Sequence, residues 1–273
     1  MTAPVIFDRR VQRHRLARRD ETTCRFVADQ AAVEVIDRLS LIKRQFARPL
    51  VAGPFAPWLA PLLPFQAATV EGCDLEMDDE ALPFADGSLD CIISVFALQS
   101  VNDLPGALAQ MRRALKPDGL LLAALFAGET LKELRAAWLA AESERTGGTT
   151  PRVAPMVDLR EMGGLLQRAG FALPVMDMDR MEVRYDGGMA LMREIKALGF
   201  ANNLVDRSRK PVTASLLMAA ALGYGEGPRV SATIDIAWVT AWSPHESQQK
   251  PLKPGSAKAR LADALNVPEV KLP

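Results

Sequence analysis

Apolar residues along the chain alternate between short continuous runs and helical stripes, and this alternation predicts an α/β fold. Leu89–Val95 is a short, mostly apolar run entered through the turn Ala85-Asp86-Gly87-Ser88, the pattern of a strand buried on both faces of a sheet. Leu104, Ala107, Leu108, Met111 and Leu115 then recur at steps of three and four, the period of a helix, with Asn102 or Asp103 as its cap. Lys116-Pro117-Asp118-Gly119 is expected to stop that helix, because proline cannot continue it and glycine admits positive φ. Residues 120–126 follow as a second buried strand. Strand, crossover helix and strand within about forty residues form a βαβ unit, which implies a parallel sheet covered by helices.

The same reading extends in both directions. Residues 26–41 carry Val27, Ala31, Val35, Ile36 and Leu39 at helical spacing, and residues 49–53 are a candidate first strand ending at Gly53. A short helix at 58–63 and a strand at 67–70 come next. Between Leu50 and Asp78 there is room for one crossover and scarcely for two, so one strand of a full nucleotide-binding sheet is expected to be missing. Downstream, Thr130 is expected to cap a helix bearing Leu131, Leu134, Trp138 and Leu139, and residues 142–152 read as a loop. Residues 156–169 repeat the helical pattern up to Gly170. Strands are expected at 171–176, 181–185 and 231–242, and helices at 189–198 and 212–222. The organisation expected is a basic helical segment (1–45), an α/β domain (46–243) with a helical insertion at 187–223, and a mobile or surface-draped tail (244–273).

Composition narrows the classes. A chain of 273 residues that is 49% hydrophobic can bury one large core, and no run approaches the length of a membrane span. The first nineteen residues lack the apolar stretch of a secretory signal, so a cytoplasmic setting is expected. Lys+Arg and Asp+Glu balance at 33 each, which gives no bulk argument for a polyanionic partner. Cys24, Cys73 and Cys91 suit neither a disulfide framework nor a zinc site and read as incidental thiols, and two histidines offer little for a metal centre.

Locally the charge is uneven. Residues 7–19 hold six arginines, with Phe7, Val11 and Leu16 along one side of a helix. One reading is contact with an anionic surface, protein or lipid; the other is a solvated helix that packs its thin apolar edge on the domain. The segment is too short and too poor in serine to read as a transit peptide. Nucleic acid is not expected, since no aromatic residues interleave the arginines for base stacking.

The first strand-to-helix turn of such a fold is where a nucleotide ligand approaches bare backbone. Here that turn is Gly53-Pro54-Phe55-Ala56-Pro57, with one glycine in place of the usual two or three and two prolines that each remove an N–H.

The motifs Asp78-Asp79-Glu80-Ala81-Leu82-Pro83-Phe84, Asp86-Gly87-Ser88-Leu89-Asp90 and Leu115-Lys116-Pro117-Asp118-Gly119 resemble, in identity, order and spacing, the central motifs of class I S-adenosylmethionine-dependent methyltransferases. Within that superfamily the stretch VNDLPGALAQMRRALKPDG, the stretch FAGETLKELRAAWLAAESERTGG and the tail HESQQKPLKPGSA are similar to one branch. It holds the complex I assembly factor that hydroxylates an arginine of a respiratory-complex subunit, its bacterial relatives and, more distantly, the malonyl carrier-protein methyltransferases. The resemblance implies a Rossmann-like class I methyltransferase fold, mostly parallel, with S-adenosylmethionine as cofactor. It implies that Asp78 accepts the adenine amino group, that Asp79 offers its backbone amide, that Ser94, Val95 and Phe96 wall the methionine part, and that Gly53 is the remnant of the glycine turn.

The first motif departs from the family pattern, as does Gln99-Ser100, which stands where His-Trp is common and removes the nearest candidate general base. No catalytic residue is assigned. The function expected is that of an assembly or binding factor with an eroded cofactor motif and a protein partner, such as a respiratory-complex subunit. The alternatives are an active methyltransferase or an arginine hydroxylase.

Overall fold

The computed structural model describes residues 5–20, 26–70, 82–225, 227 and 229–249. In chain order the elements are α1 (Arg9–Leu16), α2 (Phe26–Ser40), β1 (Pro49–Ala52), α3 (Ala56–Leu59), β2 (Ala68–Val70), β3 (Leu89–Val95), α4 (Leu104–Ala114), β4 (Leu115–Ala127), α5 (Lys132–Thr146), α6 (Leu159–Arg168), β5 (Ala172–Tyr185), α7 (Gly188–Ala197), α8 (Ala214–Leu222) and β6 (Val230–Trp242). The strands form one sheet in the order β2-β1-β3-β4-β6-β5. The pairs β1–β2, β1–β3 and β3–β4 are parallel, and β6 runs antiparallel between β4 and β5. This is the mostly parallel Rossmann-like sheet expected from the βαβ pattern.

Side chains alternate across β3, and each face finds its own helices. Ile93 and Val95 join Val35, Leu39 and Leu59 from α2 and α3 in one core, while Ile92 faces Leu108, Met111 and Leu166 from α4 and α6 in another. A third cluster packs α5, α7 and α8 around Trp138, Leu191 and Tyr224. Cys91 is buried in β3; Cys24 and Cys73 lie outside the described residues.

Several motif residues hold the frame. Asp103 caps α4 through Gly106 N at 2.9 Å. Asp90 is buried and accepts the amides of Ala47 and Arg48, which ties the entry of β1 to β3. Gly87, at φ 60°, donates its amide to Arg113 O, and Arg113 in turn pairs with Asp86 at 2.9 Å.

The structure corrects four expectations. Lys116-Pro117-Asp118-Gly119 does not stand between a helix and a strand but lies inside β4, and Asp118 rather than Gly119 takes the positive φ, 62°. Leu115 pairs with Leu89 and Leu120 with Cys91, so residues 116–119 are a bulged irregularity of β4, and the Asp118 conformation there is held by Ser243 O, Arg44 and Gln248. The two strands expected at 171–176 and 181–185 are the single 14-residue β5, paired with β6 along its length. Thr130 does not cap α5; Leu131, at φ 57°, occupies that position. Thr130 Oγ1 instead lies 2.8 Å from Ala127 O and accepts Asp235 N–H at 2.9 Å, latching the end of β4 to β6. Glu142, assigned to a loop, is a buried α5 residue that accepts from Thr150 N and Arg152 Nε and folds the following loop back.

Among the described residues β2 stands between β1 and β3; residues 71–81 of that stretch, on which the expected loss of a strand also rests, lie outside the described residues. In the tail, Gln248 donates to Asp118 Oδ1 at 2.9 Å and Ser243 O at 2.8 Å, so residues up to 249 lie fixed on the domain rather than free of it. Residues 250–273 lie outside the described residues. Among the described residues no helix is long and apolar enough to cross a membrane.

Candidate functional site

The strand order reverses between β1 and β3, and in open α/β sheets the crevice beyond that point receives the ligand. In this chain the turn that would cradle it has little to offer. Gly53 sits at φ 129°, and a Cβ there would come within 2.1 Å of Val95 O. The close approach of β3, rather than that of a ligand, therefore demands glycine at this position. Of the amides that follow, Pro54 and Pro57 have none, and Ala56 N is already given to Gly53 O at 3.0 Å. The helix behind the turn, α3, is four residues long.

Aromatic rings close the crevice. Phe55, from the turn after β1, meets Phe96, from the end of β3, edge to face at 6.3 Å. Phe96 stacks on Phe126 at the end of β4, 4.4 Å between centroids and 13° between planes. Phe200, beyond α7, stands edge-on to all three, between 5.7 and 6.3 Å away. Phe96 is 2% exposed and adopts φ 53°, a conformation that costs a bulky side chain about 1–3 kcal/mol and that the surrounding packing must hold.

Behind the rings is a cavity of about 130 Å³, roofed by α1 and α2 and walled by α7. Its lining is mostly apolar, and its polar groups fall into two sets. Gln99 is committed, accepting from Phe126 N at 2.6 Å and bracing the end of β4. Arg152 is committed to Glu142 and lies over the Trp138 ring, 4.8 Å from its centroid. Thr130, Tyr185 and Asn202 are engaged as well, with Asp235 N, Glu194 and Pro151 O, and Ser100 and Asn203 complete the polar lining beside Gln12 and Glu194. Gln12 is 7% exposed, and its Oε1 is buried with no hydrogen-bond partner. Burial pushes the Glu194 carboxyl above the usual range, against the lowering effect of the Tyr185 hydroxyl that donates to it at 3.1 Å. Both present acceptor oxygens, so the arrangement suits a group rich in N–H donors inside an aromatic box.

Of the residues implied by the resemblance, Phe96 lines this cavity. Gly53 stands at the crevice mouth with its bare face against Val95. Val95 is buried in the core toward α2; Ser94 is fully buried, with its hydroxyl unpartnered, and pairs across the sheet with Ala52 and Ala123. Asp78 and Asp79 lie outside the described residues. Sequence reasoning missed Gln12, Glu194, Phe126 and Phe200. Gln12 had a signal, since it lies four residues before the buried Leu16 and hence on the same face of α1. Among the described residues there is no group of three His, Cys, Asp or Glu side chains able to hold a metal ion.

The family described as "Methyltransferase domain" matches residues 63–123. The chain is 34% identical over 285 residues to the human protein named "Arginine-hydroxylase NDUFAF5, mitochondrial", covering 94% of this chain and 83% of that protein. To the Danio rerio protein of the same name it is 40% identical over 190 residues, 68% of this chain and 59% of the relative. To a malonyl-[acyl-carrier protein] O-methyltransferase of Laribacter hongkongensis it is 37% identical over 181 residues, 65% of this chain and 59% of the relative. The match thus spans less than two thirds of the Danio and Laribacter relatives but most of the human one. Motif order, a Rossmann-like sheet and these relatives agree: the chain belongs to the class I S-adenosylmethionine-dependent methyltransferase superfamily, in the branch of the arginine hydroxylase NDUFAF5.

Proposed function

We propose that this protein is a methyltransferase-like binding factor, acting on a protein partner in respiratory complex I maturation, in which the methyl-donor site has been given up. The observation that carries the proposal is the first turn. Gly53 is packed against Val95 O, the amide of Ala56 is already used, two prolines stand in the turn, and the rings of Phe55 and Phe96 meet across the crevice. S-adenosylmethionine needs bare backbone and free donors there, and the residues present do not fit it.

The cavity gives the reading its positive content. Gln12 Oε1 and the Glu194 carboxyl match an N–H-rich side chain, which suits an arginine of the partner, the residue that the relatives' name designates. In this reading the chain works in the cytoplasm, whereas the human and Danio relatives are named mitochondrial. An arginine-modifying enzyme is the second reading, and the same cavity favours it.

A thermal shift titration with S-adenosylmethionine and S-adenosylhomocysteine tests the proposal. No shift is expected at millimolar ligand. A ligand at a hundred times its Kd would add about 2.7 kcal/mol of stability; such a shift, abolished by Asp78→Ala, would overturn the reading of a lost cofactor site.

A further inference from the structure

The sheet is open at β5. Among the described residues this strand, 14 residues long, has β6 as its one neighbour. None of its residues is buried, whereas most of β6 is. An unpaired edge offers a row of N–H and C=O groups to any extended chain, and folded proteins guard such edges with proline, bulges, lysine or charge. In β5 those guards gather at the start: Pro174, the irregular register between Ala172 and Val175, and Leu173 at φ 48°. Residues 176–185 hold no proline, glycine or lysine and keep an unbroken register with β6.

The charges of that stretch are answered within the chain. Asp177 accepts from Arg38 at 2.8 Å, Asp179 accepts from Trp238 Nε1 at 2.8 Å, and Arg180 donates to Asp235 at 2.7 Å. Glu182 accepts from the Ser231 hydroxyl. A charge turns away an incoming strand when pairing would leave it covered and alone, and these four already have partners.

The order of the charges selects the strand that fits. Two identical edges that pair antiparallel are related by a twofold axis. Residues directly opposite share a face of the sheet, so the axis passes through a residue and not between two. Like charges directly opposite destabilise such a pairing, and unlike charges stabilise it. An axis at Asp179 or Arg180 sets that residue against its own copy, and one at Met178 sets Asp177 against the partner's Asp179. An axis at Glu182 opposes two glutamates and sets Arg180 against the partner's Arg184. With the axis at Met181, residues 177–185 overlap and Arg180 faces the partner's Glu182, a pair that recurs on the other side of the axis. An axis nearer the end of the strand shortens the overlap.

We infer that the outer edge of β5 pairs with the same edge of a second copy of this chain, about a twofold axis at Met181, and joins two six-stranded sheets into one. The pairing sets the partner's Asp177 opposite Tyr185, whose hydroxyl donates to Glu194 in the cavity, so each copy borders the other's site.

Sedimentation equilibrium and oxidative cross-linking test it. The full chain is expected to pass from the mass of one copy to that of two as its concentration rises through the micromolar range. Glu182→Lys turns both attractive pairs into repulsive ones and is expected to weaken the dimer at least about tenfold. Opposed Cα atoms at the axis stand roughly 4.5–5.5 Å apart, within disulfide reach. In a chain carrying Cys24→Ser and Cys73→Ser, Met181→Cys is therefore expected to cross-link into a dimer on mild oxidation, whereas Val175→Cys, outside the overlap, is not. The mass of a single copy at every concentration would overturn the inference. So would a dimer that Glu182→Lys leaves equally tight and Met181→Cys fails to trap, because its contact would lie on another face. A dimer that forms only after residues 250–273 are removed would assign the edge to the chain's own tail and overturn it too. The mass of the unaltered chain and the cysteine trap decide the outcome even where Glu182→Lys fails to fold.

Discussion

The ring of Phe96 lies flat on the ring of Phe126, 4.4 Å between centroids, and so joins the ends of β3 and β4 where a cofactor crevice would open. Phe96→Ala would remove the central ring of the four and enlarge the cavity behind them, which costs about 3–5 kcal/mol. Part of that total is specific to the stacked pair. A double-mutant cycle of Phe96→Leu and Phe126→Leu in chemical denaturation is expected to show a coupling of about 0.5–1.5 kcal/mol. Additive losses would mean that the rings are independent pieces of core.

Gly53 distinguishes a ligand-binding glycine from a packing glycine. Its φ of 129° and the 2.1 Å separation between a built Cβ and Val95 O both forbid a side chain. Gly53→Ala is therefore expected to destabilise by at least about 2 kcal/mol, from backbone strain and overpacking together. A variant of unchanged stability would show that β3 can give way at this point, and would return the glycine to a role in ligand approach.

The frame was legible in the sequence because its signals are local. Leu89–Val95, the Asp103 cap and the stripe of α4 rest on spacing and on one side chain reaching its own helix. The path through Lys116-Pro117-Asp118-Gly119 was not, because what holds Asp118 left-handed comes from Arg44, Ser243 and Gln248, remote in the chain. Of the residues singled out in the sequence, Phe96, Gln99 and Ser100 line the cavity. Glu194 and Phe200 come from an insertion whose periodicity announces a helix but not what the helix faces, and Thr130 looked like a cap because its partner Asp235 lies 105 residues away.

Asp235 is fully buried beside the latch, with Arg180 Nε and Nη2 donating at 2.7 and 2.8 Å and Glu129 N at 2.9 Å. The Arg180 hydrogen bonds hold the Asp235 carboxyl below the usual range, against the opposing effect of burial. A carboxyl depressed in the folded state contributes stability above its unfolded pKa of about 3.9, and that contribution is lost as pH falls through the folded value. Arg180→Leu is expected to lower the melting temperature at neutral pH and to move the onset of acid unfolding to higher pH. Identical acid limbs in the two proteins would show that the Glu129 amide alone holds the charge.

Glu194 carries the opposite sign. Burial raises its carboxyl in the folded state, so its contribution is full below the unfolded value of about 4.3 and is lost as pH rises through the folded pKa. Glu194→Gln keeps an acceptor for the Tyr185 hydroxyl and removes the titration. The variant is expected to melt at the same temperature as the parent in acid and at a higher temperature at neutral pH. A melting temperature below the parent's at neutral pH would mean that the charge is stabilised by a group near the cavity.

Gln12 makes the sharpest claim about the cavity. A buried acceptor without a partner costs about 1–3 kcal/mol, and a protein under selection for stability alone would place leucine there. Leu16, four residues on, shows that the same face of α1 accepts an aliphatic residue of that size. Gln12→Leu is therefore expected to stabilise the chain by about 1 kcal/mol in denaturant titration, while weakening binding of an arginine-bearing partner peptide measured by calorimetry. Gains in stability made at the expense of binding mark a site, because the group that costs the folded chain stability is then the one the partner uses. A loss of stability would show instead that Oε1 is satisfied within the fold, and Gln12 would then offer the cavity no free acceptor.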